Sequence, residues 1–165
     1  MSILTDEESR KLIAMPSDEF DTMMCKEFPE IFIHRNAPMT ETCMCWGFSC
    51  EPGWQPLLFK LCQQIDLVSS RLGIFVRANQ VKEKYASLRF YWSGEVRPES
   101  LIPDNKFDIA YDIVEALVSN AEHTSSSTCE VCGEYGNGRR IGGWIRTLCD
   151  THAEEETKLK ASLQV

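Results

Sequence analysis

The sequence lacks the features of several large protein classes. No apolar run reaches the roughly 20 residues that span a bilayer, and the first residues are acidic, unlike those of a secretion signal. The phosphate-binding and hydrolase motifs GxxxxGK(S/T), GxGxxG and GxSxG do not occur, nor do internal repeats. These absences predict a protein of the cytoplasm with no membrane partner and no recognisable active site.

Composition limits the partners of this chain. Its 165 residues suit one domain, and its formal net charge of −8 argues against bulk attraction to nucleic acid. The charge is uneven, because residues 1–53 hold most of the excess acid whereas residues 54–102 are net basic. A local basic face is therefore compatible with an acidic chain. Eight cysteines without a secretion signal indicate a reducing compartment.

The most specific signal is a pair of short ligand motifs. Cys129 and Cys132 are separated by two residues, and Cys149 and His152 repeat that spacing. Two intervening residues let the backbone turn so that both ligands point to one side, and Zn²⁺ takes four such ligands in a tetrahedron. Gly133 fits the left-handed turn of such a knuckle. The pattern predicts a closed, structural zinc site that does no catalysis; a disulfide between Cys129 and Cys132 is the alternative.

Hydrophobic periodicity predicts an α+β fold, in which several helices pack on a small antiparallel hairpin beside a zinc knuckle. Helices are predicted from the Thr5 capping box, from Ser17, and over 54–72, 104–123 and 153–163. Strands are predicted at about 74–82 and 87–93, and loops over 34–53, 95–104 and, as one irregular hairpin, 134–144. Tyr111 is placed on the inner face of its helix.

The same patterns give the domain organisation. Residues 1–127 are predicted to form the α+β core with an acidic helical N-terminus. Residues 128–165 are predicted to form the zinc-binding module and a terminal helix, packed with the core as one unit.

A second group of cysteines precedes the long helix. Cys43, Cys45 and Cys50, with Cys62 on the helix, could hold a second metal, pack as buried thiols, or carry redox chemistry. A catalytic cysteine would need a histidine base, and only His34 and His123 remain outside the zinc motif. The His-x-Glu and Pro-Cys-x-x-Cys pattern of zinc deaminases is absent, as is the histidine pair of a ββα nuclease.

Two segments mix basic and aromatic residues and are candidates for partner binding. The candidates are Lys82, Lys84, Tyr85, Arg89, Tyr91, Arg139 and Arg140. Such residues could form a protein contact, since Tyr, Trp and Arg dominate interface hot spots, or could stack on and neutralise single-stranded nucleic acid. They could also be the solvated face of an ordinary strand pair, and Glu130, Glu134 and Asp150 would offset the arginines of the zinc loop.

Four segments carry a family resemblance. They are TCMCWGFSCEPGW (42–54), QVKEKYASLRFYW (80–92), TCEVCG (128–133) and GGWIRTLCDTH (142–152). In this order they resemble a family of small accessory proteins encoded by tailed bacteriophages and prophages. The resemblance covers roughly residues 28–153 and implies a bacterial setting without implying a particular reaction.

Taken with the missing catalytic motifs, the resemblance favours a zinc-binding accessory protein. Its expected function is to bind and modulate, by inhibition, a bacterial host or anti-phage defence protein. Two alternatives remain open. One is a nucleic-acid-binding regulator that uses residues 81–92 and the arginine-rich zinc loop. The other is an enzyme that uses the Cys43, Cys45 and Cys50 cluster.

Overall fold

The computed structural model describes residues 4–98 and 104–163, and this part of the chain has an α+β fold. The helices are α1 (Asp6–Ile13), α2 (Ser17–Glu27), α3 (Gln55–Leu72), α4 (Asp104–Ser125) and α5 (Asp150–Ser162). The strands are β1 (Phe48–Ser49), β2 (Ile74–Glu83), β3 (Leu88–Val96), β4 (Asn137–Ile141) and β5 (Trp144–Leu148). Short 3₁₀ turns cover Met44–Trp46 and Pro52–Trp54.

The central sheet confirms the predicted antiparallel hairpin and extends it. β2 pairs with β3 along almost their whole length, with a bulge at Asn79 between Ala78 and Gln80. β1 adds a two-residue parallel pairing on the other edge of β2, with Phe48 opposite Val81. The predicted loop over 34–53 therefore contains a strand, which its short length and distant partner conceal in the sequence.

The core lies between this sheet and the helices α3 and α4. The apolar stripe of α3 is buried, including Leu58, Leu61 and Ile65, and Gly73 ends the helix in the left-handed conformation at φ 68° and ψ 35°. The predicted inner position of Tyr111 is wrong. Its side chain is 43% exposed and its ring lies 4.6 Å from that of Trp92, because the helix places it at the border of the sheet.

Residues 128–163 form a second, smaller unit beside the core. β4 and β5 make a regular hairpin rather than the predicted irregular one, because Gly142 and Gly143 at φ 56° and 89° supply a tight turn. α5 begins at Asp150, before the predicted start at 153. Cys149 is extended and Asp150 places a carboxylate in the first turn, so the helix starts ahead of His152.

Part of the predicted loop over 95–104 is β strand, since β3 continues to Val96, and residues 99–103 lie outside the described residues. Within 4–98 and 104–163, none of the helices has both the length and the apolar character that crossing a bilayer requires.

Candidate metal centre and the groove beside it

The backbone brings the four predicted zinc ligands to one point. The Cys129 turn closes with a hydrogen bond from the Gly133 N–H to the Cys129 carbonyl (2.8 Å), and Gly133 takes the left-handed φ of 76°. On the other side, β5 delivers Cys149 to the N-terminus of α5, and the first turn of α5 presents His152. The ligands therefore come from a turn and a helix start, which are both fixed locally.

The ligand atoms lie close enough together to share one tetrahedral ion. All four lie within 4.8 Å of one another. Bonds of about 2.3 Å to sulfur and 2.0 Å to nitrogen give tetrahedral edges of about 3.8 Å between sulfurs and 3.5 Å between sulfur and nitrogen. The Cys132 and Cys149 sulfurs are 3.8 Å apart, and His152 Nδ1 is 3.6 Å from the Cys129 sulfur and 3.1 Å from that of Cys149. The cluster is thus compatible with a metal site.

The surroundings of the thiols favour a bound cation. Burial opposes ionisation of Cys129, but backbone N–H groups, that of Cys149 foremost, donate to its sulfur and lower its pKa to about 7. Burial raises the pKa of Cys132 to about 12, and the neighbouring Cys129 adds to that rise. Two adjacent thiolates repel each other, so a cation between them is needed before both are ionised at neutral pH. All of these cysteines are free, without the alternative disulfide.

Backbone contacts attach this cluster to the core at Gly53 and Trp54. The Gly53 N–H donates to the Glu130 carbonyl (2.7 Å), and the fully buried Trp54 donates from its indole Nε1 to the Thr128 carbonyl (2.8 Å). A Cβ on Gly53 would lie 2.6 Å from the Glu130 carbonyl oxygen and closer still to that of Cys129. The Gly-Trp pair is therefore the contact surface for the Cys129 turn.

An ion pair between the buried Glu130 and the half-buried Arg146 supports the same junction. Glu130 is 3% exposed, and burial raises the pKa of its carboxyl although Arg146 opposes the rise. Arg146 donates from Nε to Glu130 (3.1 Å) and from a terminal nitrogen to Glu156 on α5 (3.1 Å). One arginine thus links the metal turn, β5 and α5.

An open groove separates the β2–β3 turn from the β4–β5 hairpin. Its volume is about 530 Å³, and its lining includes Lys84 and Tyr85 from the turn and Arg140 and Trp144 from the hairpin. Tyr85 and Trp144 are 75% and 70% exposed. The two basic and aromatic segments that the sequence singled out therefore meet at one surface, here named the Tyr85–Trp144 groove.

The turn that presents Tyr85 is strained. Tyr85 and Ala86 have φ of 53° and 63°, and they are the non-glycine residues with positive φ in the described part of the chain. This is the two-residue hairpin turn that normally needs Asn-Gly. One tertiary and one local hydrogen bond hold it: the Thr147 hydroxyl donates to the Ala86 carbonyl (2.6 Å), and the Ala86 N–H donates to the Glu83 carboxylate of the same turn (2.7 Å).

Replacing Tyr85 tests that strain. We expect Tyr85→Gly to raise the free energy of unfolding by about 1 kcal/mol, because glycine adopts positive φ without the Cβ clash and the lost ring is mostly exposed. Urea denaturation measures the change. Tyr91→Gly, at an exposed position inside β3, is the control and is expected to lower stability instead. A loss of stability in Tyr85→Gly would mean that the turn is not strained.

The other predicted partner-binding residues lie at separate places outside this groove. Lys82 lies with its Nζ 5.5 Å from the Tyr91 ring centre, on the outer face of the β2–β3 hairpin. Arg89 is paired with Glu122 of α4 (3.5 Å). Arg139 pairs with Asp150, as the neighbouring acids suggested, and lies outside the groove.

The structure does not bring together the second group of cysteines, which comprises Cys43, Cys45, Cys50 and Cys62. Among the described residues, the one set of three or more candidate ligands that lie together is the C-terminal one. Cys43 is exposed, Cys62 is buried in α3, and the Cys45 thiol donates to the Thr42 carbonyl (3.3 Å). Burial, followed by the Glu130 and Glu51 carboxylates, raises the pKa of Cys50 to about 12, which keeps this thiol protonated and weakly nucleophilic at neutral pH.

One surface was missed by the sequence reasoning. Besides its buried stripe, α4 carries a second apolar stripe on its exposed side, formed by Ile109, Ile113 and Ala116. Ile109 and Ile113 are 51% and 39% exposed, and Asp108 and Asp112 lie beside them. The four-residue spacing of the two isoleucines, out of step with the inner stripe, was the available signal.

Comparison of this chain with known protein families, sequences and structures identifies no relative. No protein-family model, no curated protein and no solved structure matches this chain.

Proposed function

We propose that this chain is a zinc-stabilised binding protein whose partner is a bacterial host or anti-phage defence protein, which it inhibits by contact in the bacterial cytoplasm. The bacterial setting comes from the phage-family resemblance described above. Zinc is proposed because three thiolates and one imidazole in a tetrahedron are a donor set that it favours. Four protein ligands leave no open position for substrate, so the ion's role is structural.

The second apolar stripe of α4 is the observation that supports a protein partner. Two isoleucines one helical turn apart are exposed on a long, well-packed helix, where polar residues would be expected. Carboxylates flank the stripe, so it suits an apolar groove bordered by basic residues. A second copy of the chain is a poorer fit, because the same carboxylates would face each other.

Affinity capture with matched variants tests this proposal. The tagged protein is incubated with nuclease-treated bacterial lysate, alongside a variant with both Ile109→Asp and Ile113→Asp. A charge at the centre of an interface is expected to cost about 2 kcal/mol or more, a loss of at least about 30-fold in affinity. Ile33→Asp is the control, because Ile33 is 60% exposed and lies outside α4.

The expected result is one near-stoichiometric protein that the wild type and Ile33→Asp retain and the double variant loses. Circular dichroism establishes that the double variant is folded. Equal retention by all three proteins, or retention of none, would count against the proposal. Light scattering of the wild type separates self-association from capture of a partner.

A further inference from the structure

The Tyr85–Trp144 groove is not used by the proposed contact of α4, and it has its own chemistry. We propose that this groove binds single-stranded nucleic acid, with bases stacked on Tyr85 and Trp144 and phosphates contacted by Lys84 and Arg140. The inference goes beyond the proposed function and does not depend on it.

The strained turn is the first observation that carries the proposal. A bulky aromatic residue in the left-handed conformation costs on the order of 1 kcal/mol or more, and such strain concentrates at functional sites. The Tyr85 ring is 75% exposed, so packing of the ring does not offset the strain energy of the turn. The contacts from Thr147 and Glu83 fix the turn and leave the ring free to meet a ligand.

The second observation is the positive charge on the side chains that line the groove. Neither Lys84 nor Arg140 forms an ion pair with another described residue, whereas the neighbouring Arg139 pairs with Asp150. The Glu83 carboxylate also lines the groove, but it accepts the Ala86 N–H (2.7 Å) and is held within its own turn. In a chain of net charge −8, the groove thus presents two cations that form no ion pair, against one carboxylate.

The combination of aromatic rings and positive charges indicates which class of ligand the groove binds. Lys84 Nζ lies 5.5 Å from the Tyr85 ring centre, and the same arrangement recurs outside the groove at Lys82 and Tyr91. Single-stranded nucleic acid offers unstacked bases for the rings and phosphates for the ammonium groups. A duplex keeps its bases stacked away from the rings, and an acidic peptide uses the cations alone.

Fluorescence anisotropy with a labelled oligothymidylate of about 12 nucleotides, at about 50 mM salt, tests the proposal on the full chain. We expect Trp144→Ala to weaken binding by about five- to 150-fold, the effect of losing one stacked base. Trp46→Ala is the matched control, since Trp46 is 65% exposed on a different segment, and it is expected to bind like the wild type.

Salt dependence tests the phosphate contacts separately. Arg140→Gln is expected to reduce the slope of log affinity against log salt by about 0.7, the value for one phosphate contact on a single strand. Arg139→Gln removes the same charge from an ion-paired position and is expected to leave the slope unchanged.

Four outcomes would overturn the proposal. They are the absence of binding by the wild type at this salt concentration, unchanged affinity in Trp144→Ala, equal binding of a duplex of the same length, and displacement of the oligonucleotide by polyglutamate at matched charge. The last would assign the groove to an acidic protein segment.

Discussion

Cys132→Ser is expected to abolish metal binding and to unfold residues 128–163. The apolar core of this unit is small, with Cys129, Leu148 and Ala153 as its buried members. Such a core offsets little of the conformational entropy of the residues that it orders, so we expect bound metal to supply much of the difference. Zinc binding in small modules contributes on the order of 10 kcal/mol, which is also the expected loss for this unit.

Elemental analysis and thermal unfolding measure that loss. The wild type is expected to hold one zinc per chain and the variant none, and the variant is expected to lose the helix signal of α5. Cys43→Ser is the control, because Cys43 is exposed and outside the cluster, and its stability should change by less than about 0.5 kcal/mol. Full metal content in Cys132→Ser would show that the cluster is not the metal site, and an unchanged melting temperature would show that the cluster does not stabilise this unit.

Gly53→Ala is expected to have the second largest effect, a loss of about 3 kcal/mol or more in the free energy of unfolding. The added Cβ would meet the backbone of Cys129 and Glu130, with the Glu130 carbonyl carbon 2.7 Å away. The backbone of the Cys129 turn cannot rotate aside as a flexible side chain can. The turn must therefore withdraw, and its hydrogen bond to the Gly53 N–H is lost with it.

Urea denaturation of Gly53→Ala and Gly138→Ala separates this contact from a general effect of glycine replacement. A Cβ on Gly138 would meet the Ala86 Cβ at 3.8 Å, an ordinary contact, so its stability is expected to stay within about 1 kcal/mol of the wild type. Metal content is expected to persist in Gly53→Ala, because the four ligands do not include this residue. Similar losses in the two variants would refute the steric explanation.

The features that the sequence predicts well are those encoded within a few residues. The α3 stripe and Gly73 define a helix and its end locally, and the structure agrees with both. The spacing of Cys129 and Cys132, repeated at Cys149 and His152, likewise requires only short turns to form a cluster.

The features that were missed depend on distant contacts. β1 is two residues long, and its partner Val81 lies far along the chain, so no periodicity marks it. The Tyr85–Ala86 turn contradicts local preference, because neither residue favours positive φ, and the Thr147 contact that imposes it comes from another hairpin. The Tyr85–Trp144 groove follows from that same contact and could not be foreseen from either segment alone.

The junction at Trp54 also has a consequence for the order of events during synthesis. The indole N–H meets an acceptor 74 residues further along the chain, at Thr128. At 5–20 residues per second, ribosomes need about 4–15 s to make that stretch. For this interval the nascent core carries a large aromatic side chain without its hydrogen-bond partner. Under the zinc binding proposed above, the emerging chain completes this contact only when the metal is supplied. On the same proposal, newly made protein in a zinc-starved cell would remain in that incomplete state, open to chaperones and proteases.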